Sequence, residues 1–125
     1  MLDLDEQSVV DSQWDVAPAK VRMSDFATKH FFEKKGPLPN HYDNRRSYHR
    51  FYLRGKAVLT RDAGVLGVFT KDVSRQGMGF LSPNQLLPKE RVDLLLPGDT
   101  KLKLEITRCR RMVEGFFDCG GRFVL

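Results

Sequence analysis

The sequence predicts an all-β domain, a six-stranded antiparallel barrel or sandwich preceded by one helix. Three observations support this fold class. From Phe51 onward apolar residues alternate with polar ones, the two-residue period of strands that bury one face. Clusters of turn-forming residues interrupt that pattern about every ten residues. No helical period follows Lys35, and 125 residues are the size of one domain.

The first 22 residues predict a loose arm. Residues 1–22 mix acidic residues, Ser, Gln and Pro18 without a sustained apolar period, and such a composition does not predict a packed element. Trp14 is a side chain that could anchor this arm to the domain.

Start and stop signals for a helix follow in the segment 23–36. Ser24 is suited to be the N-cap, Asp25 lies in the first turn, and Gly36-Pro37 ends the pattern. We therefore expect a helix over about residues 24–35. Four apolar residues of this helix are expected to pack on the domain: Phe26, Ala27, Phe31 and Phe32.

A connecting segment, residues 37–50, leads from this helix into the barrel, residues 51–125. Its Pro37 and Pro39 cannot continue the helix. The six predicted strands are Phe51 to Thr60, Val65 to Val73, Gly77 to Leu81, Arg91 to Leu96, Lys101 to Arg110 and Phe116 to Val124.

Charge is distributed unevenly along the chain. Residues 1–19 contain five acidic residues and no Lys or Arg. The rest of the chain holds all 21 basic residues against the other 11 acidic ones, a net charge of +10. Such an excess favours an anionic partner, namely a nucleotide, a nucleic acid or a membrane surface.

The sequence favours a cytoplasmic protein with no membrane span. The N-terminus begins with acidic residues and has no apolar run of the kind found in secretory signals. No stretch approaches the roughly 20 apolar residues that span a bilayer.

The spacing of cysteine and histidine residues predicts neither a metal site nor an enzyme. Cys109 and Cys119 are expected to lie on the two arms of a hairpin as free thiols. His30, His41 and His49 complete no Cys-x-x-Cys or His-x-x-x-His pattern. No nucleophile with a base and no carboxylate pair is apparent, so we expect no catalytic residues and no cofactor.

Three arginines lie immediately before the first predicted strand: Arg45, Arg46 and Arg50. Arg46 and Arg50 are four residues apart, which places both side chains on one face of either an extended or a helical backbone. A guanidinium fork fits a phosphate, and it also fits the O6 and N7 acceptors of guanine. The alternative is a solvated basic loop with no ligand.

A second polar cluster lies between the second and third predicted strands: Asp72, Ser74 and Gly77. Asp72 and Ser74 share one face of an extended chain. A carboxylate can accept from the N1 and N2 groups of guanine, a hydroxyl can reach a phosphate or ribose, and glycine lets a ligand approach the backbone. The alternative is that Asp72 and Ser74 only stabilise a tight turn.

Together these residues resemble the PilZ family of bacterial cyclic di-GMP receptors. The family pattern is Arg-x-x-x-Arg followed by Asp or Asn-x-Ser-x-x-Gly, and all its fixed positions are matched by Arg46, Arg50, Asp72, Ser74 and Gly77. Gly79-Phe80 and Gly121-Arg122-Phe123 also resemble strands of the family. The resemblance extends over about residues 44–124.

The resemblance implies a PilZ-like barrel whose ligand is cyclic di-GMP. Arg46 and Arg50 would bind its guanine edges and phosphates, Asp72 and Ser74 would meet it from the barrel surface, and Gly77 would keep the turn open. Arg45 precedes the motif at a variable position, where a cation could influence whether one ligand or a stacked pair is bound.

The resemblance also implies a signalling role with an unidentified downstream protein partner. PilZ domains often have a helix after the last strand that covers the barrel, and the upstream helix at about 24–35 would take over that role here. Two rivals remain: a PilZ-like adaptor that binds no nucleotide, and a small basic barrel that binds single-stranded nucleic acid through aromatics such as Tyr48 and Tyr52. The intact motifs argue against the first rival, whereas steep salt dependence and tolerance of any base would favour the second and a demand for guanine would oppose it.

Overall fold

The computed structural model describes residues 2–37 and 50–124, and the side chains from Val9 onward within these ranges. The two helices are α1 (Leu2–Val16) and α2 (Asp25–Phe32). The seven strands are β1 (Ala19–Lys20), β2 (Phe51–Arg61), β3 (Gly64–Val73), β4 (Gly77–Ser82), β5 (Arg91–Leu96), β6 (Thr100–Arg111) and β7 (Phe117–Phe123).

Strands β2 to β7 form a closed antiparallel barrel. The pairing runs β3-β2-β5-β6-β7-β4, and β4 pairs again with β3 to close the ring. The predicted six-stranded antiparallel barrel is confirmed, and each predicted strand matches the observed one to within one residue at either end. β1 was not predicted, since two residues are too short to show a period. It pairs in parallel with β3 at Leu66 and Gly67.

The interior of the barrel is filled by the inward-facing residues of the alternating pattern. Phe80, Leu59, Leu94, Leu104 and Ile106 are among the largest fully buried side chains, and they belong to one contiguous cluster. Because the two-residue period sends their neighbours outward, the same strands present polar side chains on the outer surface.

The expectation of a loose arm over residues 1–22 was wrong. Residues Leu2–Val16 form α1, and its Val10 and Trp14 are buried. The Trp14 ring stacks on Phe69 of β3 with centroids 5.4 Å apart, and its Nε1 donates to the Val68 carbonyl at 3.0 Å. The structure therefore shows that Trp14 anchors the N-terminal segment to β3 of the barrel.

Helix α2 begins where the capping signal predicted and ends earlier than expected. The backbone N–H of Ala27 donates to the Ser24 hydroxyl at 3.1 Å. Phe31 and Phe32 pack against Phe69, as expected for a helix that covers the barrel. The prediction that Phe26 packs on the domain was wrong, because this residue is 83% exposed.

A second hydrophobic cluster joins both helices to the outer face of the barrel. Its buried members are Val10, Trp14, Val21, Val58, Phe69 and Leu81, and Phe31 and Phe32 pack against them. The described side chains of residues 9–36 therefore contribute to the packing of the folded unit.

Residues on either side of the undescribed segment 38–49 are paired with each other. The backbone N–H of Tyr52 donates to the Gly36 carbonyl at 2.8 Å, and Pro37 forms an isolated antiparallel bridge with Phe51. We call these four residues the neck. The chain enters and leaves segment 38–49 at this one place.

Candidate functional site

The structure brings Arg50 and Asp72 together, although they are 22 residues apart. Arg50 directly precedes β2, and antiparallel pairing sets Tyr52 opposite Asp72 of β3. The Arg50 Nη2 and Nε atoms donate to one carboxylate oxygen, Oδ1 of Asp72, at 2.6 and 3.2 Å. The register of β2 and β3 thus brings Arg50 into contact with Asp72.

This ion pair holds Arg50 in a defined orientation. The side chain of Asp72 is only 5% exposed and that of Arg50 is 18% exposed. A charge-assisted bond from two N–H groups restricts the guanidinium more than a single bond would. Asp72 therefore positions Arg50, a role that the sequence did not distinguish from direct contact with a ligand.

Two of the predicted site residues, Arg45 and Arg46, lie outside the described residues. Their expected convergence with Arg50 remains a prediction. Of the predicted set, the structure describes Arg50, Asp72, Ser74 and Gly77.

Ser74 stabilises the turn that connects β3 to β4. Its hydroxyl accepts from the backbone N–H of Gln76 at 3.3 Å, and its own N–H donates to the Gly77 carbonyl at 2.9 Å. These are the contacts of the turn-stabilising alternative, and they leave the hydroxyl near the surface, since Ser74 is only half-buried.

Gly77 is needed for strand packing. A Cβ atom at this position would collide with the backbone carbonyl of Gly121 on β7. The tight space around Gly77 is therefore on the side of the neighbouring strand. The sequence had assigned this glycine to ligand approach, and the geometry gives a different reason for it.

Two further glycines, both buried, lie beside the ion pair and beneath charged side chains. Gly79 of β4 lies opposite Asp72 on one side and Gly120 of β7 on the other. A Cβ on Gly79 would lie 3.0 Å from Oδ1 of Asp72, and a Cβ on Gly120 would lie 2.9 Å from Nε of Arg108. We call Gly79 and Gly120 the glycine strip. In the sequence, both glycines lie inside predicted strands. Glycine in a strand interior often marks a place where another group approaches the backbone closely.

Arg108 on β6 borders the glycine strip on the side away from Asp72, and sequence reasoning missed it. Its Nη1 lies 3.3 Å from Oδ1 of Asp118, while Nζ of Lys71 lies 2.8 Å from Oδ2 of the same carboxylate. Burial alone would raise the pKa of Asp118, but the hydrogen bonds and charges of Lys71 and Arg108 hold that pKa below its ordinary value. Asp118 is thus an anionic anchor shared by two cations.

Arg54 connects helix α2 to this side of the barrel. Its guanidinium stacks over the Phe31 ring at 3.9 Å and near the Tyr52 ring at 4.8 Å, and Nε donates to the Lys71 carbonyl at 3.0 Å. Burial lowers the pKa of Arg54, while the charges of Asp72 and Asp118 oppose that shift. Arginine remains charged in proteins, so Arg54 adds a cation close to both carboxylates.

The described residues show neither a metal cluster nor a membrane-spanning helix. Within residues 2–37 and 50–124 no three His, Cys, Asp or Glu side chains are grouped to hold a metal ion. None of the helices in those ranges is both long and apolar enough to cross a membrane. The Sγ atoms of Cys109 and Cys119 lie 3.2 Å apart as free thiols on paired positions of β6 and β7.

The described chain is thus a closed antiparallel barrel with a positioned arginine at the start of its first long strand. The family model of the PilZ domain matches residues 44–124, and the chain belongs to this family. The resemblance noted in the sequence is thereby confirmed. PilZ domains are in general cyclic di-GMP-binding receptors and not enzymes. A comparison with curated proteins found no match to the chain.

Proposed function

We propose that this protein is a cytoplasmic cyclic di-GMP receptor that transmits ligand binding to a downstream protein partner. The observation that carries the proposal is the ion pair between Arg50 and Asp72 within a PilZ domain. It supplies a positioned guanidinium at a surface whose surrounding charge is positive, which suits a ligand with two phosphodiester groups and two guanines.

In this proposal the arginines recognise the ligand through their planar forks. Arg46 and Arg50 bind guanine edges and phosphates, and Arg45 supplies a third guanidinium that favours a stacked pair of ligands over a single one. Asp72 holds Arg50 in place, Ser74 offers its hydroxyl from the turn, and Gly77 maintains the strand approach beneath that turn.

Signalling follows from ordering of the arginine-bearing segment. A ligand shifts a conformational equilibrium only by its preference for one state, so residues 40–50 must be more ordered with ligand than without. Amide hydrogen exchange of this segment tests the step: slower exchange is expected on addition of cyclic di-GMP. Identical exchange in both conditions would refute ordering as the signal.

Calorimetry with purified protein tests the receptor function itself. We expect binding of cyclic di-GMP and much weaker binding of GTP and cyclic di-AMP. Replacing Arg46 or Arg50 by Ala should weaken binding by at least about 2 kcal/mol, as expected for charge-assisted bonds. Arg50→Lys should restore little, because an ammonium cannot form a fork. A lysine variant that binds like the parent would disprove bidentate recognition.

The same titration separates the two rival functions. A folded protein that binds no cyclic di-GMP would be a PilZ adaptor without a nucleotide ligand. Binding of single-stranded nucleic acid regardless of base, with steep salt dependence, would indicate the basic-barrel alternative. A requirement for guanine with both phosphates supports the receptor.

A further inference from the structure

The two buried glycines of the glycine strip leave room for two charged side chains, those of Asp72 and Arg108, to lie over the strip and close to each other. Oδ1 of Asp72 and Nη2 of Arg108 both lie within 3.6 Å of the point where a Cβ of Gly79 would be. Side chains at Gly79 or Gly120 would separate these groups. With glycine at both positions, the Arg108 guanidinium lies near the Asp72 carboxylate, which binds Arg50.

Arg108 remains accessible although it is held in place. Its side chain is 46% exposed, whereas that of its anchor Asp118 is 10% exposed. Asp118 also binds Lys71, so a single carboxylate serves two cations. One positive charge of this trio is left without a counter-charge.

The charged groups around the glycine strip together carry a net positive charge. Among the described side chains, Asp72 and Asp118 are the two carboxylates that interact with a group of four cations on this side of the barrel. These cations are Arg50, Arg54, Lys71 and Arg108. Four cations against two carboxylates favour an anionic ligand, because the excess charge is relieved only by a counter-ion.

We propose that Arg108 binds a phosphate of the ligand and so forms a second anchor across the glycine strip from Arg50. This inference rests on the proposed function, since cyclic di-GMP carries two phosphodiester groups that a single guanidinium cannot both reach. Arg50 takes one side of the ligand, and Arg108 takes the phosphate on the side of β6. Asp118 acts as a positioning residue that directs Arg108 toward the strip.

Calorimetric titration with cyclic di-GMP of three arginine variants tests this assignment. Arg108→Gln removes the charge at the strip, and we expect at least tenfold weaker binding. Arg91→Gln is the matched control: Arg91 is also exposed, at 64%, and lies near a carboxylate, 3.6 Å from Glu105, but it belongs to β5. The control should bind within twofold of the parent. Unchanged thermal unfolding of both variants without ligand shows that the barrel is intact.

Arg108→Lys separates phosphate recognition from a structural effect. Lysine binds phosphate as a point charge, so this variant should retain most of the affinity that Arg108→Gln loses. The affinity of Arg108→Gln should also depend less on salt than that of the control, since one charge contact is gone. A lysine variant as weak as the glutamine variant, or unchanged salt dependence, would overturn the role of charge at this position.

The outcomes distinguish this inference from the proposed function. If the parent protein does not bind cyclic di-GMP, the proposed function fails and the role of Arg108 fails with it. If the parent binds, Arg50→Ala loses affinity and Arg108→Gln binds like the parent, the receptor function stands and the second anchor is refuted.

Discussion

Replacing Trp14 by Ala should destabilise the whole protein, because Trp14 links α1 to the outer face of the barrel. Its side chain is only 8% exposed. It stacks in parallel with the Phe69 ring, donates a hydrogen bond to Val68 and lies beneath the Lys56 ammonium at 4.6 Å. The substitution removes all these contacts and leaves a space over β3.

The size of the effect follows from the buried area. A tryptophan that is largely buried removes about 150–250 Å² from water, and at about 25 cal/mol per Å² this corresponds to roughly 4–6 kcal/mol. Alanine retains a small part of that burial, and measured Trp→Ala changes in protein cores cost about 3–5 kcal/mol. We expect a value in that range. Trp14→Phe keeps the ring stack and loses the hydrogen bond, so about 1–2 kcal/mol is expected.

Urea unfolding followed by far-ultraviolet circular dichroism measures both variants. Trp14 is the only tryptophan, so fluorescence cannot serve as the common signal. With a slope of about 2 kcal/mol per M, Trp14→Ala should lower the urea midpoint by roughly 2 M. A loss below about 1 kcal/mol would refute the packing of α1 on the barrel, since such a value is typical of exposed positions.

Three further predictions test the barrel and its outer charges. Gly77→Ala should destabilise the protein by about 1–3 kcal/mol through overpacking, whereas Gly55→Ala, with open space around the added carbon, should change the urea midpoint little; equal effects would contradict the close contact with Gly121. Because the pKa of Asp118 is lowered in the folded protein, its ionised form stabilises the fold above the ordinary value of about 4, and this contribution is lost as the pH falls further. The urea midpoint of the parent should therefore fall more between pH 5 and pH 3 than that of Asp118→Asn, and parallel curves would count against the shift. Burial raises the pKa of the Cys119 thiol, so in a Cys109→Ser variant a maleimide should label Cys119 only after unfolding, and rapid labelling of the native variant would show that the thiol is accessible.

The strands and the barrel could be predicted from sequence because their signal is local. The alternation of apolar and polar residues and the turn clusters both lie within each strand and its ends, and the Ser24 cap lies within one turn of α2. Helix α1 was missed because its buried contact is a narrow stripe, in which Val10 and Trp14 are four residues apart. Its burial depends on the barrel surface opposite, which local sequence does not contain.

The site was only partly predictable for the same reason. The motif spacing identified Arg50 and Asp72, and the register of β2 and β3 brings them into contact. The position of Arg108 depends on a register irregularity in β6 between Ile106 and Arg108 and on the bare backbone of Gly120 opposite. No property of Arg108 in the sequence distinguishes it from Arg110 or Arg111. Its location beside the glycine strip becomes visible only when β4, β7 and β6 are assembled side by side.

The neck gives the arginine-bearing segment closed ends instead of one free end. Gly36 and Tyr52 are joined by a backbone hydrogen bond. The entropy loss of bringing the two ends of this segment together therefore occurs when the barrel folds and not when a ligand binds. Fixing such a loop around a ligand costs less conformational entropy than fixing an open tail of equal length. Cutting the chain between the neck and Arg45 should therefore weaken ligand affinity even though every side chain of the site is retained.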